Sequence, residues 1–244
     1  MNFGARLEAV AALVPPCHTL VDVGTDHAYL PVLLLQQGKI EQAIAGDVVP
    51  GPCEAARHTV RTFHLEDRIT VRQGSGLTVA APGEAEAAVI AGMGAETMLQ
   101  ILGESPEVWQ HPRFRHLILQ PMSDAARLRH WAEKNGWAVV REELAREGKR
   151  LYELLHLEPS PGWRYPSACY EIGFDLVERH HPLLQEFLAE RKKKVQLLLE
   201  QMGRASRQYG EYQTLWKQLE AIERGNGSNG NQRNDGNGYL SVHE

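Results

Sequence analysis

Hydrophobic and polar positions fall into alternating strand-length and helix-length blocks over the first two-thirds of the chain. MNFGARLEAVAALVPP reads as a short amphipathic helix with Leu7, Val10, Ala11 and Val14 on one face. Arg6 and Glu8 interrupt the apolar run that a signal peptide would need. Thr19 to Val23 reads as an apolar strand, followed by a helix from Tyr29 to Gln37 that Gly38 stops. QAIAGD, ending at Asp47, is a second strand, and Pro50-Gly51-Pro52 opens a helix to Phe63, proline being tolerated in a first turn. RITVRQG, EAAVIAG and HLILQP are three further strands, of which EAAVIAG is apolar enough to be buried on both faces. Ser123 is expected to cap a helix running to Asn135 and ended by Gly136.

The pattern then changes. WAVVREELAREGKRLYELLHLEP has no helix-length block and predicts two long antiparallel strands around the turn Glu147-Gly148-Lys149. Repeated β-α units ending in a hairpin imply an α/β fold, a mostly parallel sheet with an antiparallel strand at its end. From Pro182 the pattern is helical. Leu184, Leu188, Val195, Leu198 and Met202 recur at helical spacing, as do Tyr212, Leu215, Leu219 and Ile222 after a break near Tyr209-Gly210. This predicts a coiled-coil-like helical hairpin. The expected divisions are therefore a sheet domain over 1–160, the hairpin over 161–224 and a tail over 225–244, with Gly225 to Gly238 too polar and repetitive to bury a core.

Composition narrows this picture modestly. The 244 residues are 43% hydrophobic and 23% charged, ordinary for a soluble globular chain. No apolar run approaches the ~20 residues of a membrane helix. Cys17, Cys53 and Cys169 lie far apart, which favours free thiols in a cytoplasmic protein over a disulfide framework. A net charge of -5 means that any nucleic-acid partner must be met by a local basic surface. No metal is expected.

Ligands of open parallel sheets bind beyond the carboxyl ends of the strands. The residues there are Gly24, Asp26 and His27, then Asp47 and Val48, then Gly74-Ser75-Gly76, then Ala91-Gly92-Met93-Gly94, then Gln120-Pro121. LVDVGTDHAYL lacks the G-x-G-x-x-G of a dinucleotide site. Asp47, about twenty residues on, suits a ribose diol, a need shared by NAD and S-adenosylmethionine. The first turn separates the two. A pyrophosphate wants free N–H groups and no carboxylate, whereas a sulfonium and an ammonium favour Asp22 and Asp26 nearby. Plainer uses stay open: Asp22 and Asp26 as helix caps, Gly92 and Gly94 as a tight turn, Gly74-Ser75-Gly76 as a loop, His27 as a structural histidine, and Tyr29 as a core ring rather than a base-stacking one.

VDVGTDHAYLP, AIAGDVVPGP, IAGMG, LILQP and LYELL, in that order from Leu20 to Leu157, resemble the TrmK family of bacterial tRNA (adenine-22-N1)-methyltransferases. The resemblance implies a class I Rossmann-like methyltransferase domain, S-adenosylmethionine as donor, adenine N1 of a tRNA as acceptor, and a coiled-coil appendage. It places Gly24, Asp26 and His27 in the donor-binding first motif, Asp47 at the ribose, Ser75 at the adenine and Gly92-Met93-Gly94 beside the target base. Asp26, His27 and Tyr29 become the catalytic candidates. Arg191-Lys192-Lys193-Lys194, with Arg204 and Arg207, become candidate tRNA contacts beside Gln120 and Pro121. Competing readings are a methyltransferase for another RNA or a small molecule, a non-catalytic donor-binding protein, and an NAD-linked enzyme. Oligomeric state is left open, a monomer included.

Overall fold

The computed structural model describes residues 3–167, 169–202 and 206–228. In chain order the elements are α1 (Ala5–Leu13), β1 (Cys17–Val23), α2 (Tyr29–Gln36), β2 (Ile40–Asp47), α3 (Pro50–Thr62), β3 (Ile69–Gln73), a 3-10 turn (Gly76–Val79), β4 (Ala87–Met93), α4 (Ala95–Glu104), α5 (Pro106–Trp109), β5 (His116–Pro121), α6 (Ala125–Lys134), β6 (Trp137–Glu147), β7 (Arg150–Pro159), α7 (Phe174–Glu178), α8 (Leu184–Gln201) and α9 (Arg207–Ser228). One seven-stranded sheet has the order β3-β2-β1-β4-β5-β7-β6. β1 to β5 pair in parallel, and β7 runs antiparallel to both of its neighbours. The strand order reverses between β1 and β4, which opens the crevice where such sheets bind ligands.

Strand periodicity explains the two cores. Side chains alternate between faces. Val21, Val23, Ala88, Ile90, Leu117 and Leu119 therefore build one core with Met98, Leu102 and Leu128. Leu20, Val89 and Ile118 build the other with Val10, Leu34 and Val60. Ala87, Ala88, Val89 and Ile90 are all fully buried, as a two-sided central strand requires.

Three expectations are corrected. Ser123 does not cap α6. Its N-cap is Asp124 in a left-handed conformation, with no side-chain capping bond, because the chain turns sharply out of β5. The hairpin break does not fall at Tyr209-Gly210, which lies within α9. The last turn of α8 ends at Gln201 and α9 starts at Arg207. The tail is not wholly outside regular structure, because α9 extends through Gly225 to Ser228; propagation onto an existing helix costs far less than nucleation.

The first compact unit also continues beyond residue 160, to His181. The reason is polar anchoring. Arg129 donates to Tyr170 O at 2.8 Å, Tyr170 Oη bonds Glu133, and the Asp175 N–H donates to Glu142 at 3.0 Å. The second unit, from Pro182, pairs α8 with α9 antiparallel across a short connection, and Lys192 meets Glu223 at 2.7 Å. Among the described residues no helix is long and apolar enough to cross a membrane.

Candidate active site

The turn after β1 is held in a strained and well-anchored shape. Gly24, Asp26 and Ala28 all have positive φ, at 73°, 46° and 55°. Glycine takes this region freely and aspartate tolerates it, so LVDVGTDHAYL carries suitable residues at two of the three positions. The Gly24 and Thr25 N–H groups both donate to Gly46 O, at 2.8 and 3.0 Å. The donors a pyrophosphate would require are thus already spent on the end of β2. Neither Asp22 nor Asp26 caps α2. Its N-cap is Ala28, without a side-chain bond. Asp22 is instead buried and accepts the Thr25 hydroxyl at 2.6 Å. Burial pushes its carboxyl up to about 6; the Thr25 hydroxyl pulls the other way and the charge of Asp47 adds to the rise.

Two adjoining cavities flank this turn. The first, about 200 Å³, is lined by Asp22, Gly24, Asp26, His27, Tyr29 and Ala91, together with Phe3, Arg6 and Glu147. The second, about 190 Å³, is lined by Asp47, Val48, Gly74, Ser75 and Met93, with Ile101 and Glu104 of α4. Val23 and Gly24 border both. Met93, of the second cavity, packs against Gly24: a Cβ there would come within 2.3 Å of its Cε. A register shift between Ala91 and Met93, with Gly92 at φ 76°, turns the end of β4 toward this point. Asp47 holds its own loop, since Oδ1 accepts the Val49 N–H at 2.8 Å. Asp47 and Glu104 at one lobe, Asp22, Asp26 and Glu147 at the other, and Gly24 between them fit a nucleoside bearing a cationic amino-acid arm.

The rim of the first cavity is aromatic. His27 stacks on Tyr29, centroids 5.1 Å apart at 20°, and Phe3 lies 6.0 Å from Tyr29. Tyr29 is 38% exposed, so it is a surface ring rather than a core one. His27 Nε2 lies 3.7 Å from Asp26 Oδ2, too far for a hydrogen bond.

Residues 3–155 match the family model of a methyltransferase domain. The chain is 37% identical over 158 residues to the tRNA (adenine(22)-N(1))-methyltransferase of Bacillus subtilis, an alignment spanning 65% of this chain and 66% of that protein. It is also similar to the structure of Streptococcus pneumoniae Sp1610, described as a candidate tRNA (m1A22) methyltransferase. That match has 32% identity and a TM-score of 0.80, and covers 91% of this chain and 99% of that one. The chain belongs to the tRNA (adenine(22)-N(1))-methyltransferase family. A second structure of Sp1610, in complex with S-adenosyl-L-methionine, matches at 30% identity and a TM-score of 0.80, over 89% of this chain and 98% of that one.

Within this m1A22 methyltransferase fold, Gln120 and Pro121 are corrected as tRNA contacts. Both are buried and offer no surface to a large substrate. Gln120 is a brace: its Oε1 accepts Arg6 Nη1 at 2.7 Å and the Gly92 N–H at 3.1 Å. The basic run is only partly available. Lys192 is engaged by Glu223 and lies over Trp216, and Arg191 lies over the Phe187 ring. Lys193 and Lys194 are exposed. Arg204 lies outside the described residues. Arg207 begins α9, and its side chain lies outside them too.

Phe3, Arg6 and Glu147 were not expected at the site; the m1A22 methyltransferase fold brings them to the cavity from the segment before α1, from α1 itself and from the end of β6. Arg6 was visible as the charge interrupting an apolar helix face. Nothing local linked it to Gln120, more than a hundred residues away.

Proposed function

We propose that this chain is a cytoplasmic enzyme that methylates N1 of adenine 22 in tRNA, with S-adenosylmethionine as methyl donor. The observation that carries the reading is the paired cavity around Gly24, carboxylate-lined at both lobes and with its turn N–H groups already committed. Bound there, S-adenosylmethionine supplies an electrophilic methyl on a sulfonium. Asp47 would hold the ribose hydroxyls, and Gly74-Ser75 would border the donor's adenine. Asp22 would face the cationic arm, while Asp26, on the exposed side of the first cavity, would face the incoming base. N1 of adenine carries a free lone pair, so no proton need leave before attack and no strong general base is required. The work left to the protein is to take up an unstacked base, align it and keep the site dry. The His27–Tyr29 stack offers a face to such a base. Of the carbonyls near the target amine, Met93 O already accepts the Met122 N–H at 2.8 Å.

The direct test incubates the protein with labelled donor and tRNA, then maps the modified nucleoside. Methyl at N1 of adenine 22 is expected, and a tRNA with guanine there should take up none. Methylation elsewhere, or none with any tRNA, would overturn the reading. A thermal-shift comparison should show stabilisation by S-adenosylmethionine and not by NAD.

The Asp22 carboxyl gives this a pH signature. A cation beside it favours the ionised form, so donor affinity should be at its full value above pH about 6. Below that it should weaken by up to about tenfold per unit, as protons compete for the free site. Titration calorimetry between pH 5 and 8 reads this directly. Asp22→Asn should flatten the profile, and a wild-type profile that is already flat would remove Asp22 from the site.

The helical unit is assigned the phosphate contacts, through Lys193 and Lys194. Replacing both by alanine should reduce the salt slope of tRNA binding by about one for each lysine that meets a phosphate, with donor affinity unchanged. An unchanged slope would leave these lysines as a solvated face.

A further inference from the structure

At the opposite end of the strands from the active site, the start of β5 meets the end of β7. The two strands pair antiparallel with Ile118 opposite His156. Continuing that register sets His116 opposite Glu158, and residues two apart on a strand share a face. His116, His156 and Glu158 are thus brought together by pairing alone, on the side of the sheet where Ile118 and Leu154 are buried.

Their polar atoms form a nearly equilateral triangle. His116 Nδ1 lies 3.2 Å from His156 Nε2 and 3.3 Å from Glu158 Oε1, and the latter two are 3.5 Å apart. One proton can bridge only one edge of such a triangle at a time. A cation equidistant from the three atoms satisfies all of them. Zinc bound tetrahedrally at ~2.0–2.1 Å sets its ligand atoms about 3.3–3.4 Å apart, which is the spacing found. The histidine side chains are 21% and 10% exposed and that of Glu158 is 42% exposed. The triangle is therefore shielded on the histidine side and open on the other.

We propose that His116, His156 and Glu158 form a binding site for a divalent transition metal of the zinc class, with its fourth position open to water. Two imidazoles and one carboxylate are a ligand set that zinc accepts, and calcium and magnesium, which want oxygen, do not. The site lies far from Asp26 and takes no part in methyl transfer. Its effect is to clip β5 to β7, where the sheet changes from parallel to antiparallel pairing. Metal that binds only the folded chain raises its stability. The ligands come from two strands forty residues apart, so no H-x-x-H or C-x-x-C spacing marks them in the sequence.

The test uses the full chain without an affinity tag, stripped of metal by chelation. Zinc is titrated against a chromophoric chelator, and cobalt(II) is followed by visible absorption. One zinc per chain is expected, with the visible bands of tetrahedral cobalt and a rise in melting temperature with zinc but not with magnesium. Glu158→Gln, a conservative change at a half-exposed position, should weaken zinc binding by at least about tenfold. His116→Gln with His156→Gln should abolish it. Circular dichroism of each variant separates loss of metal from loss of fold, and Glu158→Gln decides if the double variant does not fold. A wild-type chain that takes up no stoichiometric zinc would overturn the proposal. So would folded variants that bind zinc as the wild type does.

Discussion

Arg129→Ala is expected to destabilise the first unit by about 3–5 kcal/mol, the range for breaking a buried ion pair from one side. Arg129 is fully buried on α6. Its Nε donates to Glu142 of β6 at 2.6 Å, Nη2 to Glu153 of β7 at 2.8 Å, and Nη1 to the Tyr170 carbonyl at 2.8 Å. Burial alone would disfavour the guanidinium charge, but Glu142 and Glu153 more than offset this and push its pKa up. Alanine removes the cation and leaves two carboxylates close together, with Glu142 1% and Glu153 7% exposed. Glu142 also accepts the Asp175 N–H, and Asp175 binds Arg179 at 2.9 Å, so the loss reaches the 170–181 segment. Chemical denaturation should show a lower midpoint, and limited proteolysis should cut first between residues 160 and 181. Arg129→Lys should recover only part of the loss, because an ammonium cannot reach three acceptors in a fork. A variant with wild-type stability would show that Glu142 and Glu153 need no cation between them.

The strands were legible because the middle of the sheet is buried on both sides. Val21, Ala88, Val89 and Leu117 announce strands by being apolar where water never reaches. The grouping at the strand ends was legible for a related reason. A parallel sheet presents the residue after every strand at one end, so Gly24, Asp47 and Gly74, which line the paired cavities, could be grouped without coordinates; Gly92 was grouped with them but lines neither cavity. What pairing and long-range packing decide was not legible. Gln120 reads as a free strand-end polar group, yet Arg6 and Gly92 close over it. Lys192 reads as one of four equivalent cations, yet α9 places Glu223 and Trp216 against it. Nothing in the sequence marks Arg129, because the two glutamates that neutralise it lie on strands in the following hairpin.

Asp26→Asn is expected to lower kcat for tRNA methylation by about 10²-fold while leaving donor affinity within a fewfold and the melting temperature nearly unchanged. The magnitude is that of losing one preorganised electrostatic group at a reacting centre. Asp26 lines the first cavity and its side chain is 72% exposed, so in the free protein water screens it. A base entering between it and the His27–Tyr29 stack would displace that water and strengthen the carboxylate's effect on charge developing at adenine. The benefit therefore arises mainly as the methyl transfers, which places it in kcat rather than in binding. Asparagine is the discriminating substitution, because it tolerates the positive φ of 46° and keeps the turn. Asp26→Ala should lose as much turnover, with an added backbone strain of about 1 kcal/mol. Single-turnover methylation with saturating tRNA reads the chemical step alone. If Asp26→Asn methylates at the wild-type rate there, the carboxylate does no more than shape the turn, and the methyl-transfer edge must be sought at Glu147 and the end of β4.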